Sequence, residues 1–281
     1  MSVRDLISKY NALPGVKAVG IGGSRSAGSG DKTSDYDIYV FTEQEPSVEE
    51  RLDIVRPISS KYEVGGDYFG PGDEYWVDSE DVEFDVMFFD TKWFEGIVNS
   101  VWLEGKAWNA YTTAFLYTLS NLEITYDPDN WLGNLKKTVC TPYPEKLREN
   151  IIHRGLMLMK DKPFSSYIEQ IKKAVERNDL NSINHRKAAF LESYFDVLFA
   201  ANRLLHPGEK RLIAFAVANC KVLPKDFEKD IAAALEDRTA ALPTLLSEMV
   251  EKLRESIEGC ECVDELYPGF FDRFRGVTLS R

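Results

Sequence analysis

The sequence predicts a sheet-containing α/β or α+β domain followed by an all-helical bundle. Short apolar segments punctuated by glycine fill the chain up to about residue 126, and long helical patterns separated by proline-containing breaks follow. Between them lies the turn-rich stretch Tyr126-Asp127-Pro128-Asp129-Asn130. We therefore predict two domains, residues 1–128 and 129–281.

In the first half, strand patterns alternate with helix patterns around one sheet. We predict strands at 16–21, 35–41, 82–89 and 122–126, where valine, isoleucine, leucine, tyrosine and phenylalanine are frequent. We predict helices at 3–13, 49–56 and 107–120.

The second half reads as helices at 145–160, 164–178, 183–205, 209–220, 224–236 and 243–258. The segment 183–205 has the strongest helical pattern, and Pro207-Gly208 ends it. One face of this helix carries Ala188, Leu191, Phe195, Leu198 and Asn202. A buried asparagine needs partners, so Asn202 either ties the helix to a neighbour, our preferred interpretation, or faces a pocket.

Composition and charge restrict the class of partner. The 281 residues are 44% hydrophobic and 28% charged, which excludes a disordered chain, and 34 Lys and Arg against 46 Asp and Glu give a formal net charge of −12. Such a field repels long duplex nucleic acid and favours a cationic small molecule or a metal–nucleotide complex.

The sequence also indicates in which cellular compartment the protein is expected. No apolar run reaches the roughly 18–20 residues of a membrane span, and the start Met-Ser-Val-Arg-Asp-Leu lacks the apolar core of a secretory signal. Four scattered cysteines form no disulfide framework, and Cys260 with Cys262 is interpreted as an inert reduced pair rather than part of a metal site. We expect a cytoplasmic protein without a membrane partner.

A glycine-rich turn after the first strand is the first candidate for chemistry. Gly22, Gly23 and Ser24 have small or absent side chains, which lets backbone N–H groups approach a phosphate closely. Ser34, immediately before the next strand, joins them as a candidate nucleotide-binding residue.

Two carboxylates follow ten residues after this turn. Asp35 and Asp37 are two apart on a predicted strand, so both point to the same face. Adjacent carboxylates repel each other and call for a cation, and hard oxygen ligands suit Mg²⁺. A phosphate cradle beside such a pair is typical of phosphoryl or nucleotidyl transfer.

Simpler interpretations exist for each part alone. Gly-Gly-Ser is a common turn, and Asp-Tyr-Asp can be a solvated strand end. Their combination, in this order and flanked by apolar strands, favours function. A Walker loop is excluded because no Gly-Lys-[Ser/Thr] occurs, and an EF-hand is excluded because its glycine and closing glutamate are missing.

Gly23-Ser24, the spacer and Asp35-x-Asp37 resemble the signature of the DNA polymerase beta-like nucleotidyltransferase superfamily, which includes aminoglycoside and minimal bacterial nucleotidyltransferases. The resemblance covers about the first 90 residues. It implies a mixed sheet, and hence an α+β fold, with a third carboxylate on a nearby strand between apolar residues. Asp85, between Phe84 and Val86, matches this pattern, with Glu83 as the alternative.

A second, weaker resemblance covers Tyr194 to Arg211, which is similar to nucleotidyltransferase-like bacterial proteins with a helical C-terminal domain. Lys210 there is a candidate ligand of a triphosphate, with an ordinary surface lysine as the alternative. His206 is interpreted as a helix cap rather than a catalyst. Tyr68, Phe69, Tyr75 and Trp76 either line an acceptor pocket or pack their own loop, and we prefer the second interpretation.

The sequence as a whole predicts a Mg²⁺-dependent nucleotidyltransferase. Asp35, Asp37 and Asp85 would hold two Mg²⁺ ions and act in catalysis, while Gly22, Gly23, Ser24, Ser34 and Lys210 would bind the nucleotide, expected to be ATP. The acceptor would be the hydroxyl of a small cationic molecule such as an aminoglycoside-like compound. The alternatives are a protein or RNA acceptor, or a non-catalytic nucleotide sensor of the same fold.

Overall fold

The computed structural model describes residues 3–23, 35–68 and 70–258. The chain forms two compact units. One contains Met1–Leu103 and Phe115–Pro142, and the other contains Glu104–Ala114 and Tyr143–Arg281.

The first unit is built on a six-stranded sheet with the strand order β3-β4-β5-β2-β1-β6. Its strands are β1 (Val16–Ile21), β2 (Tyr36–Thr42), β3 (Tyr62–Gly66), β4 (Gly72–Val77), β5 (Val82–Asp90) and β6 (Glu123–Tyr126). β2 and β5 run parallel, and the other neighbouring pairs run antiparallel. The sheet is therefore mixed, as the resemblance implies.

Two helices, α1 (Val3–Asn11) and α2 (Val48–Val55), supply apolar side chains to the core on one face of this sheet. Leu6 and Tyr10 of α1 and Ile54 of α2 belong to the same buried cluster as Phe84 and Val86 of β5. The alternating buried residues of β5 therefore form a continuous apolar face toward these helices.

The other face carries aromatic packing near the carboxyl ends of β2 and β5. The helices on this side are α3 (Thr91–Val98), followed by a π-helical segment (Asn99–Leu103), α4 (Ala114–Asn121) and α5 (Trp131–Val139). The Phe41 ring of β2 lies 4.9 Å from that of Phe94 and 5.6 Å from that of Trp131. This packing covers one end of the face, and the carboxylates of the candidate site lie toward the other end.

The described part of the second unit is helical. Its helices are α6 (Glu145–Leu156), continued by a π-helical segment (Met157–Asp161), α7 (Tyr167–Glu176), α8 (Leu180–Ala201), α9 (Leu212–Asn219), α10 (Phe227–Glu236) and α11 (Leu242–Glu258). Every residue of α8 from Ser193 to Ala201 is buried, as expected for a helix surrounded by others. The predicted α+β fold with a helical second part is confirmed.

The predicted helix at 107–120 is partly wrong, because α4 begins only at Ala114. The residues predicted to form the first turns of this helix instead make hydrogen bonds to α8, and one of them has a strained backbone. Thr112 donates its backbone N–H and its hydroxyl to the Asp196 carboxylate, the Asn109 carbonyl accepts from Ser193, and Tyr111 is left-handed with φ of 53°. The polar partners therefore hold this segment in an irregular conformation.

Asn202 follows the last residue of α8 and ties that end to a neighbouring segment. Its Nδ2 donates to the carbonyls of Leu198 and Val222, and its Oδ1 accepts from the N–H of Val222. This confirms the structural interpretation of Asn202. His206 is buried, and its Nδ1 accepts from the N–H of Gly208 in the turn after the helix.

The two units exchange chain at 103/104, 114/115 and 142/143. The predicted domain limit at residue 128 lies inside the first unit, because α5 packs there: Trp131 donates its indole N–H to Glu95, and Lys136 donates to the carbonyl of Leu122. That the first domain folds independently up to residue 128 stays a prediction. In the described part of the chain, no helix is long and apolar enough to span a bilayer.

Candidate functional site

Asp37 and Asp85 are direct neighbours on adjacent parallel strands. The register of β2 and β5 pairs Asp37 with Asp85, and Ile38 with Val86. Because side chains alternate along a strand, the two carboxylates share one face while Ile38 and Val86 are buried in the core on the other. Both carboxylates are half-buried. Strand register thus places Asp37 of the Asp35-x-Asp37 motif beside Asp85, the third carboxylate that the resemblance implies.

The turn after β1 brings Gly22 and Gly23 against β2. Gly22 donates its backbone N–H to the carbonyl of Asp37 at 2.8 Å, and a Cβ on Gly22 would overlap the ring of Tyr39. Gly23 has φ of 67°, and a Cβ there would overlap the Asp37 carboxylate. Glycine is therefore needed at both positions. Because the Gly22 N–H is used within the sheet, the phosphate-binding role predicted for that N–H is not supported.

Negative charge accumulates at Asp85. Its pKa is raised to about 6, first by burial and then by repulsion from Asp37, Glu74, Asp35 and Glu83. Four carboxylates thus act on a fifth, and this arrangement favours a positively charged ligand.

Tyr39 lies on the same sheet face as Asp37. Its pKa is raised by burial and by the charges of Asp37 and Asp85, and its hydroxyl hydrogen-bonds to Thr118 of α4. Its ring stacks on that of Phe89 at 5.8 Å. The carboxylates therefore border an aromatic surface that shields one side of the site from water.

Glu74 is a candidate that sequence reasoning missed. It lies on β4 in register with Asp85, and it is exposed. Its neighbour Asp73 is buried on the opposite face, where it pairs with Arg51 at 3.3 Å and accepts the N–H of Gly65 at 2.9 Å. The alternation of residues in 72–77 was the available signal, and the short turn at 78–81 joins β4 directly to its antiparallel partner β5.

A cavity of about 450 Å³ opens beside Asp85. Glu63, Tyr68, Glu74 and Asp85 line it together with Gly66, Gly70, Gly72, Asp73 and Met87. Tyr68 is 85% exposed, so the interpretation that this side chain packs against its own loop is wrong. The cavity therefore offers carboxylates and one aromatic ring to a ligand, while Tyr75 is buried in the core and Phe69 lies outside the described residues.

A metal ion at this site has suitable donors. Asp35, Asp37 and Asp85 offer only carboxylate oxygens, the ligands that Mg²⁺ prefers, and repulsion from the neighbouring carboxylates contributes to the raised pKa of Asp85. Within residues 3–23, 35–68 and 70–258, no three acidic, histidine or cysteine side chains are grouped closely enough to hold an ion. The residues thus fit Mg²⁺ in chemistry and charge, and their convergence on an ion stays a prediction.

The other residues predicted for the site lie in different parts of the chain. Asp35 is exposed immediately before β2, and Glu83 is exposed on the same face of β5 as Asp85. Ser24 and Ser34 lie outside the described residues. Lys210 is exposed in the second unit, between α8 and α9. Their roles in nucleotide or metal binding stay predictions.

Two solved structures are similar to this chain at low sequence identity. A nucleotidyltransferase-like protein from Exiguobacterium sibiricum 255-15 matches with 13% identity and a TM-score of 0.44, over 97% of this chain and 78% of that one. Spectinomycin adenyltransferase AAD(9) from Enterococcus faecialis, solved with ATP and spectinomycin, matches with 13% identity and a TM-score of 0.28, over 90% of this chain and all of that one. The chain is similar to nucleotidyltransferase-like structures.

The sequence comparisons add a family without an assigned activity. Residues 108–212 match a domain of unknown function, DUF4037, which is less than half of the chain. No curated protein matches the sequence. Function is therefore inferred from the carboxylate geometry of the first unit.

Proposed function

We propose that this protein is a Mg²⁺-dependent nucleotidyltransferase. It would move a nucleoside monophosphate, from ATP, to a hydroxyl group of a small cationic acceptor such as an aminoglycoside-like compound. The observation that carries the proposal is the in-register pair of Asp37 and Asp85, with the Asp37 carboxylate against Gly23. This arrangement supports a role for the turn and both strands in one site.

Asp35, Asp37 and Asp85 would hold two Mg²⁺ ions. When bound, the ions supply charge stabilisation to the entering and leaving oxygens at the α-phosphorus. The position of Gly23 against Asp37 would bring the phosphates close to these carboxylates, with Ser24, Ser34 and Lys210 as further nucleotide contacts. Tyr39, half-buried on the same sheet face, would shield the Asp37 side of the site from part of the solvent.

The acceptor hydroxyl would attack the α-phosphorus as pyrophosphate leaves. Its proton would pass to Asp85.

The cavity beside Asp85 supports a cationic acceptor. Glu63 and Glu74 line it with Asp85, and Tyr68 presents an exposed ring. Amino groups of an acceptor would be attracted by the carboxylates, and a ring or sugar face could pack on Tyr68. The formal net charge of −12 would draw such a molecule toward the protein.

The test is pyrophosphate release with Mg²⁺ and each nucleoside triphosphate, against a panel of amino-sugar and aminocyclitol acceptors that includes spectinomycin. We expect release with ATP that depends on one acceptor of the panel and yields an adenylylated product by mass spectrometry. Nucleotide binding without release on any acceptor would favour the sensor, and release only with a protein or RNA fraction would favour a macromolecular acceptor.

A further inference from the structure

The helical unit contains a small cavity of cationic character. Its volume is about 270 Å³, and its walls are Leu180, Ile183, Asn184, Lys187 and Arg238. The first turns of α8 and the residue pair after α10 meet there. Two cations and no carboxylate line this cavity, although acidic residues outnumber basic ones in the chain.

Lys187 is a buried lysine in the wall of this cavity. The residue is only 5% exposed, and its ammonium donates to the carbonyls of Leu235 at 2.8 Å and Asp237 at 3.1 Å. These bonds cap the end of α10, where carbonyl groups lack partners within the helix. An ammonium has three donors, so one remains after these two bonds.

Arg238 adds a second positive charge beside the first. The pKa of Lys187 is lowered by burial and then by repulsion from Arg238, and attraction to Asp237 is the weaker influence. The Asp237 carboxylate accepts the backbone N–H of Thr239 at 2.7 Å. Capping of α10 explains why a lysine is buried here, but it does not explain why an arginine lines the same cavity.

We propose that this cavity binds a small phosphate-bearing ligand. Its phosphate would contact the Arg238 guanidinium, the remaining Lys187 donor and the Asn184 side-chain amide. A guanidinium can donate two parallel hydrogen bonds to two oxygens of one phosphate. A carbonyl oxygen or a water molecule does not match this paired geometry equally well. Leu180, 59% exposed, and Ile183 give an apolar wall for the rest of the ligand. The residues that line the cavity all belong to the second unit.

The test is isothermal titration calorimetry of the full chain with methyl phosphate, inorganic phosphate and acetate. We expect saturable binding of both phosphates and weaker binding of acetate. Arg238→Gln should weaken phosphate binding by about tenfold or more, because a charge-assisted hydrogen bond is lost. Arg177→Gln is the matched control, since Arg177 is an exposed arginine that does not line the cavity.

Lys187 itself is a poor test, because its loss would also uncap α10. Asn184→Leu, at an exposed position of α8, instead removes an amide donor and should weaken phosphate binding several-fold. Amide chemical-shift changes on titration should be confined to residues 180–187 and 235–239. Absence of saturable phosphate binding, equal binding by Arg238→Gln, equally tight acetate binding, or shifts centred on the first unit would each overturn the proposal.

Discussion

At the residue scale, the candidate site depends on where single carboxylates stand on two neighbouring strands. The backbone register of β2 and β5 sets Asp37 beside Asp85, so substitution of either side chain should leave the strands intact. Function and stability can therefore be separated by substitutions at this pair.

Asp37→Asn should reduce nucleotidyl transfer by about 100-fold or more, because a neutral amide stabilises a bound cation poorly. Folding should be unaffected, since the side chains are similar in size. Turnover with ATP and the acceptor found in the panel is the measurement, with Asp53→Asn on the exposed side of α2 as control. Near wild-type turnover in Asp37→Asn would remove Asp37 from the metal site.

Asp85→Ala should lose far more activity than Glu83→Ala. Asp85 is half-buried and in register with Asp37, whereas Glu83 lies two residues away and is exposed. Turnover and ATP binding of both variants should be compared, and we expect ATP binding to change less than turnover. If Glu83→Ala is the more damaging change, the third ligand is Glu83.

Gly23→Ala should reduce both activity and stability. An alanine at φ of 67° is strained, and its Cβ would displace the Asp37 carboxylate. We expect a loss of about 1–2 kcal/mol in the free energy of unfolding. Gly96→Ala in α3 is the control, because a Cβ there meets open space and alanine favours helix. Equal behaviour of the two variants would contradict the close approach at Gly23.

At the element scale, α8 is the centre of the helical unit, and Asp196 on it holds the irregular segment before α4. The carboxylate is buried, and it accepts both the N–H and the hydroxyl of Thr112. Burial raises the pKa of Asp196 to about 6, against the lowering effect of these two bonds. Holding this segment therefore costs free energy whenever the carboxylate is ionised.

The sign of the pH dependence follows from this raised pKa. Between the pKa of the unfolded chain and about 6, the folded protein binds this proton more tightly, so the contribution of Asp196 to stability decreases as pH rises. Asp196→Asn removes this dependence. The free energy of unfolding of Asp196→Asn relative to wild type should therefore rise by about 2 kcal/mol between about pH 4 and pH 8.

Chemical denaturation across this pH range is the measurement. Asp179→Asn, at the N-cap of α8, is the control of opposite sign, because hydrogen bonds from Ser182 lower the pKa of that half-buried carboxyl. A pH dependence in Asp196→Asn identical to that of the wild type would show that Asp196 is not the titrating group.

At the scale of the whole molecule, the chain passes between the two compact units three times. The sheet unit is therefore completed by a segment, residues 115–142, that returns after an excursion into the helical unit. α4, β6 and α5 all belong to this returning segment.

Fragments test where the sheet unit ends. We expect residues 1–142 to unfold cooperatively at a higher temperature than residues 1–128, because only the longer fragment contains Trp131, which packs on Phe41, and the buried Leu132. Circular dichroism during heating is the measurement. Equal stability of the two fragments would support the limit at residue 128.

Local patterns in the sequence determined much of this protein. Strand alternation and its breaks located β1, β2 and β5 within two residues at each end, and helical periodicity located α8 and α11. These signals lie within a few neighbouring residues. The turn at Gly22 and Gly23 and the pair Asp35 and Asp37 were also predicted from local sequence. The residues that give each motif its chemistry are adjacent or two positions apart.

Tertiary structure decided what depends on residues far apart in the sequence. Only the parallel register of β2 and β5 sets Asp85 beside Asp37. Residues 107–113 show the same limit, because hydrogen bonds from Thr112 and to Asn109 involve α8, more than 80 positions later. Pairings between distant segments override local propensity, and no local pattern encodes them.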